Sequence, residues 1–157
     1  MEGLTIARAI HVLSLIHWIG GLAFVTSVIL PFSSSIADPV RRLAFLENIE
    51  QRFSRQVKLS IVLVGISGFY MAWRLEAWPR FLDLATWWMV AMALLWALFF
   101  LVLFVAEPLL LHDWFHRRAS LHPDDTFRLM RRAHWILLTA SLAVAAAAVL
   151  GAHGLLG

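Results

Sequence analysis

Arg8-Ala9-Ile10-His11-Val12-Leu13-Ser14-Leu15-Ile16-His17-Trp18-Ile19-Gly20-Gly21 is the stretch whose reading decides the fold. It lies inside an apolar run from Leu4 to Leu30. At a rise of about 1.5 Å per residue, such a run crosses the ~30 Å hydrocarbon core of a bilayer as a helix. Two histidines and an arginine inside a span are costly, so each is a functional hypothesis by default. Arg8 and His11, three residues apart, share a helix face. His17 is six positions beyond His11 and is expected to point roughly 120° away, on the face of Leu13, Gly20 and Gly21. The helix is therefore expected to carry two polar sites on different sides.

The composition agrees with a membrane chain. Hydrophobic residues make up 61% of the sequence and charged residues only 15%, which is more apolar than a soluble domain. There is no cysteine, so disulfides, thiolate-bound metals and iron–sulfur clusters are excluded. Any metal or haem must rely on histidine, methionine, carboxylate or backbone. The basic residues cluster in loops beside the apolar runs, so the net charge of +3 speaks to topology and not to nucleic acid. The first apolar run is too long for a cleavable signal and lacks both an early basic region and a small-residue cleavage site.

Four apolar segments stand out, Leu4–Leu30, Leu59–Trp73, Leu84–Ala106 and Trp135–Leu156. With their flanks they give spans of about 4–30, 57–78, 84–110 and 133–156 in a single domain, 1–157. The loop after the first span carries Arg41, Arg42, Arg52, Arg55 and Lys58, and the loop after the third carries Arg117, Arg118, Arg128, Arg131 and Arg132. The other side has only Arg8, Arg74 and Arg80. By the positive-inside rule both longer loops are cytoplasmic and both termini lie outside. The setting expected is a bacterial inner membrane.

The loops carry helical signals of their own. Asp38-Pro39 offers an N-cap followed by proline in the first turn. Leu43, Leu46, Ile49, Phe53 and Val57 then recur at helical spacing with no breaker, which predicts one long helix from about Pro39 into Trp73. The third helix is expected to run on towards Arg118 with a bend at Pro108. Pro123-Asp124-Asp125 opens the fourth. The fold expected is all-α: an antiparallel four-transmembrane-helix bundle whose second and third helices extend into the cytoplasm.

Antiparallel threading makes His11 and His153 the best depth-matched histidines on different helices. Their depths come to roughly 10 Å and about 5 Å from the outer helix ends. Two facing imidazoles are what six-coordinate haem b requires, each Nε2 taking one axial position. Arg8 and Arg74, at the same end, would neutralise the propionates. Gly151 and Gly154 would let a macrocycle approach the backbone. The plainer alternative is a local hydrogen bond for His11 and a solvated terminus for His153. His17 has no depth-matched partner and reads as a neighbour of the pocket, a proton relay, the axial ligand itself if the fourth helix sits deeper, or an interhelical hydrogen bond. His112 and His116 share a face with Asp113 alongside, but the adjacent Arg117 and Arg118 oppose a cation. Glu107 is expected to pair with Lys58 or Arg55, and Gly65 and Gly68 to permit close helix packing.

Arg8-Ala-Ile-His11 followed by Trp18-Ile-Gly20-Gly21 resembles the opening helix of small membrane proteins of the copper-resistance-D (CopD) type. It is also similar to that of HemJ-type protoporphyrinogen oxidases. Arg55 through Gly68-Phe-Tyr70 resembles the second helix of the CopD-like group. The HemJ resemblance implies a four-helix bundle with haem b and places the histidine ligand at His11, while the fourth helix here carries no lysine where those oxidases have one. The CopD resemblance implies copper handling. The function expected is one-electron transfer by a membrane haem b protein, a possible haem oxidoreductase. Its partner would be a quinone, a small oxidant or a redox protein, in a lipid bilayer and with homo-oligomerisation open. The alternatives are a copper-handling membrane protein and a haem-free structural or assembly subunit.

Overall fold

The computed structural model describes residues 1–111, 117–118 and 121–155, and every regular element among them is helical. Helix α1 (Glu2–Phe24), a π-helical turn at Val25–Ile29 and α2 (Leu30–Ser33) form one continuous rod. Helix α3 spans Pro39–Arg74. Two 3-10 turns, Trp78–Leu82 and Leu84–Thr86, lead into α4 (Trp87–Leu101), which widens into a π-helical stretch at Val102–Leu111. Helix α5 is Pro123–Ala152. Four stretches, Glu2–Ser33, Pro39–Arg74, Leu84–Leu109 and Pro123–Ala152, are long and apolar enough to cross a membrane.

Local chemistry sets these boundaries. The Asp38 carboxylate accepts the Val40 N–H at 2.9 Å and Pro39 fills the first turn, so α3 starts where the sequence places it. It then runs unbroken to Arg74. Pro108 has no N–H to give the helical ladder, and the helix around it widens to π geometry. Helix α5 closes at Gly154, whose φ of 73° needs glycine, with the Leu155 N–H donating to the Leu150 carbonyl at 3.0 Å. The continuation of the third helix and the His112–Asp113–His116 group lie outside the described residues.

Side-chain contacts link neighbouring helices along their lengths. Along α1 and α3, Gly3 meets Tyr70, His11 meets Ser67, His17 meets Ser60 and Gly21 meets Phe53, so one numbering rises as the other falls. Between α3 and the third rod, the Trp96 indole N–H donates to the Ile61 carbonyl at 2.9 Å and Lys58 pairs with Glu107 at 3.3 Å. Trp88 at the start of α4 lies against Gly151 at the end of α5. Trp18, Leu22, Val57, Ile61, Val64, Phe99 and Leu138 form the buried centre, with Trp18 edge-on to Phe99 at 4.7 Å. Trp18, Leu22, Thr26 and Leu30 are all buried at a spacing of four. On an ideal α-helix that spacing drifts by about 40° per step. The wider turn at Val25–Ile29 takes up the drift and keeps the stripe inward.

Candidate functional site

The polar groups of α1 converge on α3. The His11 Nδ1–H donates to the Val64 carbonyl at 3.0 Å, and the same nitrogen is 3.1 Å from Ser67 Oγ. The Ser67 hydroxyl donates in turn to the Leu63 carbonyl. A carbonyl can only accept, so the proton sits on Nδ1 and the neutral ring keeps its lone pair on Nε2. Two turns away, His17 Nδ1 is 2.8 Å from Ser60 Oγ, a hydroxyl that also donates to the Gln56 carbonyl at 3.2 Å. Ser60, Ser67 and Ser14 are all buried. The one proton of that hydroxyl goes to Gln56, so towards His17 it accepts, and the His17 proton sits on Nδ1.

The expectation of two sites on different sides of α1 needs correcting, since both imidazoles hydrogen-bond the same helix. Helix α3 is therefore reached by both side chains despite their separation on the helical wheel. Ser60 and Ser67, seven residues apart, lie on one face of α3 and receive them. Sequence reasoning missed these serines. The signal was available as two hydroxyls at heptad spacing in an otherwise apolar span, opposite two histidines at nearly the same spacing.

The glycines show how tightly the seam is built. A Cβ at Gly68 would lie 3.1 Å from His11 Cε1, so the missing side chain makes room for the imidazole. Gly65 does the same for the Trp96 indole. Both agree with a role in close packing. Gly151 does not stand open to a macrocycle, because the Trp88 ring already fills the place of its side chain. Gly154 has open space where a Cβ would stand and shapes the helix end.

Arg8 and Arg74 are exposed and lie at the same end of the α1–α3 pair as His11, with the Arg74 guanidinium 6.0 Å from the Trp73 ring centre. His153 is also exposed, at the C-cap of α5, and its Nδ1 is 2.8 Å from the Val149 carbonyl one turn back. Contacts with the third rod give the relative levels. Trp96 meets Ile61 and Gly65, beside the partners of His11, whereas Gly151 meets Trp88, eight positions earlier. His153 therefore lies on the order of 10 Å further along the helix axes than His11. The structure brings His11 and His17 to one seam and does not bring His153 to it. Among the described residues, no three histidine, aspartate or glutamate side chains gather as a metal site.

What the fold defines is an all-helical chain with four potential membrane-crossing helices and a histidine–serine seam between the first two. No family profile, curated protein or solved structure matches it significantly, so the site is read from this chain's own geometry.

Proposed function

We propose that the chain is a multi-pass membrane protein, an antiparallel bundle of four spans, that binds haem b through His11 and transfers single electrons. The membrane part is supported by the four apolar helices and by large apolar side chains such as Leu13, Ile66, Leu94 and Ile136 on their outer faces. Water would penalise that surface, and lipid does not. The opposed contacts of each neighbouring pair support the bundle.

The observation that carries the haem reading is the Nδ1–H bond of His11 to the Val64 carbonyl, which leaves Nε2 as the basic nitrogen. A ligating histidine is normally held this way, its other ring nitrogen donating to a carbonyl that fixes orientation and raises basicity. His11 would thus hold the iron of such a group through Nε2. When bound, the haem supplies the one-electron change at iron, and the protein tunes it. The Val64 carbonyl and Ser67 hold the imidazole plane and its tautomer. Arg8 and Arg74 place positive charge at the end of the seam where propionates would be neutralised. His17, on its serine, holds a proton further along the same seam.

Detergent-purified protein from haem-replete cells is expected to show a Soret band and a pyridine haemochrome of haem b. His11→Ala should lose most of the haem while inserting normally, and His17→Ala should retain it. Wild-type haem content in the His11 variant refutes the assignment. Bound copper without a Soret band would move the same Nε2 to copper handling. Neither signal would leave a structural subunit.

A further inference from the structure

At the opposite end of the rods from Arg8, three helix termini enclose a cleft of about 390 Å³. Ser33 comes from α2 and Ser34 caps it, Arg42 comes from the first turn of α3, and Asp124, Arg128 and Arg131 from the first turns of α5. Three guanidiniums thus face one carboxylate.

The hydrogen-bond inventory narrows what can enter. The Ser33 and Ser34 hydroxyls donate to the Leu30 carbonyl at 2.8 and 3.2 Å. Arg42 is anchored by Nε and one terminal nitrogen on the Ile36 carbonyl, at 3.0 and 2.8 Å, with Phe127 below its plane at 4.9 Å. Its remaining nitrogen stands 3.7 Å from Asp124, beyond hydrogen-bond distance and at a carboxylate largely in solvent. Arg128 pairs with Asp125 at the rim. Arg131 forms no hydrogen bond or ion pair with any described residue. The donors left to the cleft are guanidinium N–H groups, and their planar forks match a phosphate. Leu30, Phe127 and Met130 supply an apolar wall, and the exposed Val28, Phe32 and Leu129 continue apolar surface away from it.

From this arrangement we infer that the cleft among α2, α3 and α5 binds a phosphate group, that of an anionic phospholipid headgroup or of a free phosphate. Arg42 is its preset ligand, and Arg131, with no partner among the described residues, its second. The lipid source rests on the membrane reading above but not on haem. A basic pocket between helix ends at the interface suits such a headgroup, and apolar surface beside it suits acyl chains.

The test is native mass spectrometry of the full chain in detergent. It is titrated separately with dioctanoyl phosphatidylglycerol, dioctanoyl phosphatidylcholine and inorganic phosphate. Arg131→Gln removes a side chain with no partner among the described residues, whereas Arg42→Gln also releases the Ile36 carbonyl. At about 1 kcal/mol per basic residue, Arg131→Gln should weaken phosphatidylglycerol binding about fivefold and the double variant roughly 25-fold. Arg80→Gln, an exposed cation at the far end, should leave it unchanged. Phosphatidylglycerol bound above phosphatidylcholine, with that Arg131 dependence, identifies the lipid source. Inorganic phosphate bound with the same dependence, without the glycerolipid, identifies the free anion. Phosphatidylglycerol and phosphate binding unmoved by Arg131→Gln, or phosphatidylcholine bound equally, overturns the inference. Absorbance of the same samples reports haem, and alkaline extraction of native membranes reports insertion, so each proposal fails separately.

Discussion

Adding one methyl group at Gly65 tests whether the α3–α4 contact is as close as described. The Cβ of Gly65→Ala would lie 2.6 Å from Trp96 Cζ2, 2.8 Å from Cε2 and 3.0 Å from Nε1. Carbon contacts settle at about 3.5–4.0 Å, so the indole must retreat by roughly 1 Å. It is not free to do so. Its N–H is bonded to the Ile61 carbonyl, and the ring packs against Phe69 and Phe100 with centres 5.5 and 5.3 Å away. Overpacking of this kind costs about 1–3 kcal/mol, and the strained hydrogen bond about 0.5–1.5 kcal/mol more. A loss of roughly 2–4 kcal/mol is therefore expected, read by graded SDS unfolding of detergent-solubilised protein under far-UV circular dichroism. The same alanine in a Trp96→Leu background should cost little, because the obstructing ring is gone. If Gly65→Ala is as stable as wild type, or its cost persists without the indole, the contact is not the one described.

The remaining expectations concern charge. Lys58→Met leaves the Glu107 carboxylate without the ammonium 3.3 Å away. Both side chains are partly exposed, so about 1–2 kcal/mol is expected, between the values for surface and buried pairs. Lys58→Met/Glu107→Gln should recover much of it, and equal losses in the single and double variants would show that the pair is not coupled. Reporter fusions at Ala37 and after Leu155 should lie on opposite sides of the membrane, with Ala37 cytoplasmic; activity on one side only would contradict the span count.

Helix positions were largely legible in the sequence because their causes are local. Asp38-Pro39 starts a helix wherever it stands before an apolar periodic run, and Pro108 disturbs a ladder by lacking an N–H. Glu107 and Lys58 were also within reach, since few counterions exist at that depth. The azimuth at which one rod lands on another is set by packing, and here the reading failed. His11 and His17 diverge on a helical wheel, yet both reach α3. Gly151 looked open because nothing local says that Trp88, more than sixty positions earlier, occupies its space. Similar depths for His11 and His153 assumed outer ends that coincide, whereas the Trp88 and Trp96 contacts set α5 off along the axis. The arginine cleft was read only as topology, because its three contributing segments meet only in the folded chain.

The π-helical turn at Val25–Ile29 has a consequence for how the first rod can change in length. Such a turn holds one residue more than an α-helical path between the same two ends. A deletion elsewhere in the rod swings everything on one side of it by about 100° against the other. Deleted from this turn, a residue would let the backbone relax to ordinary α geometry while the histidine half and the Ser33–Ser34 half kept their mutual aim. The surplus residue is thus slack in the chain, placed between its two polar ends where shortening disturbs neither.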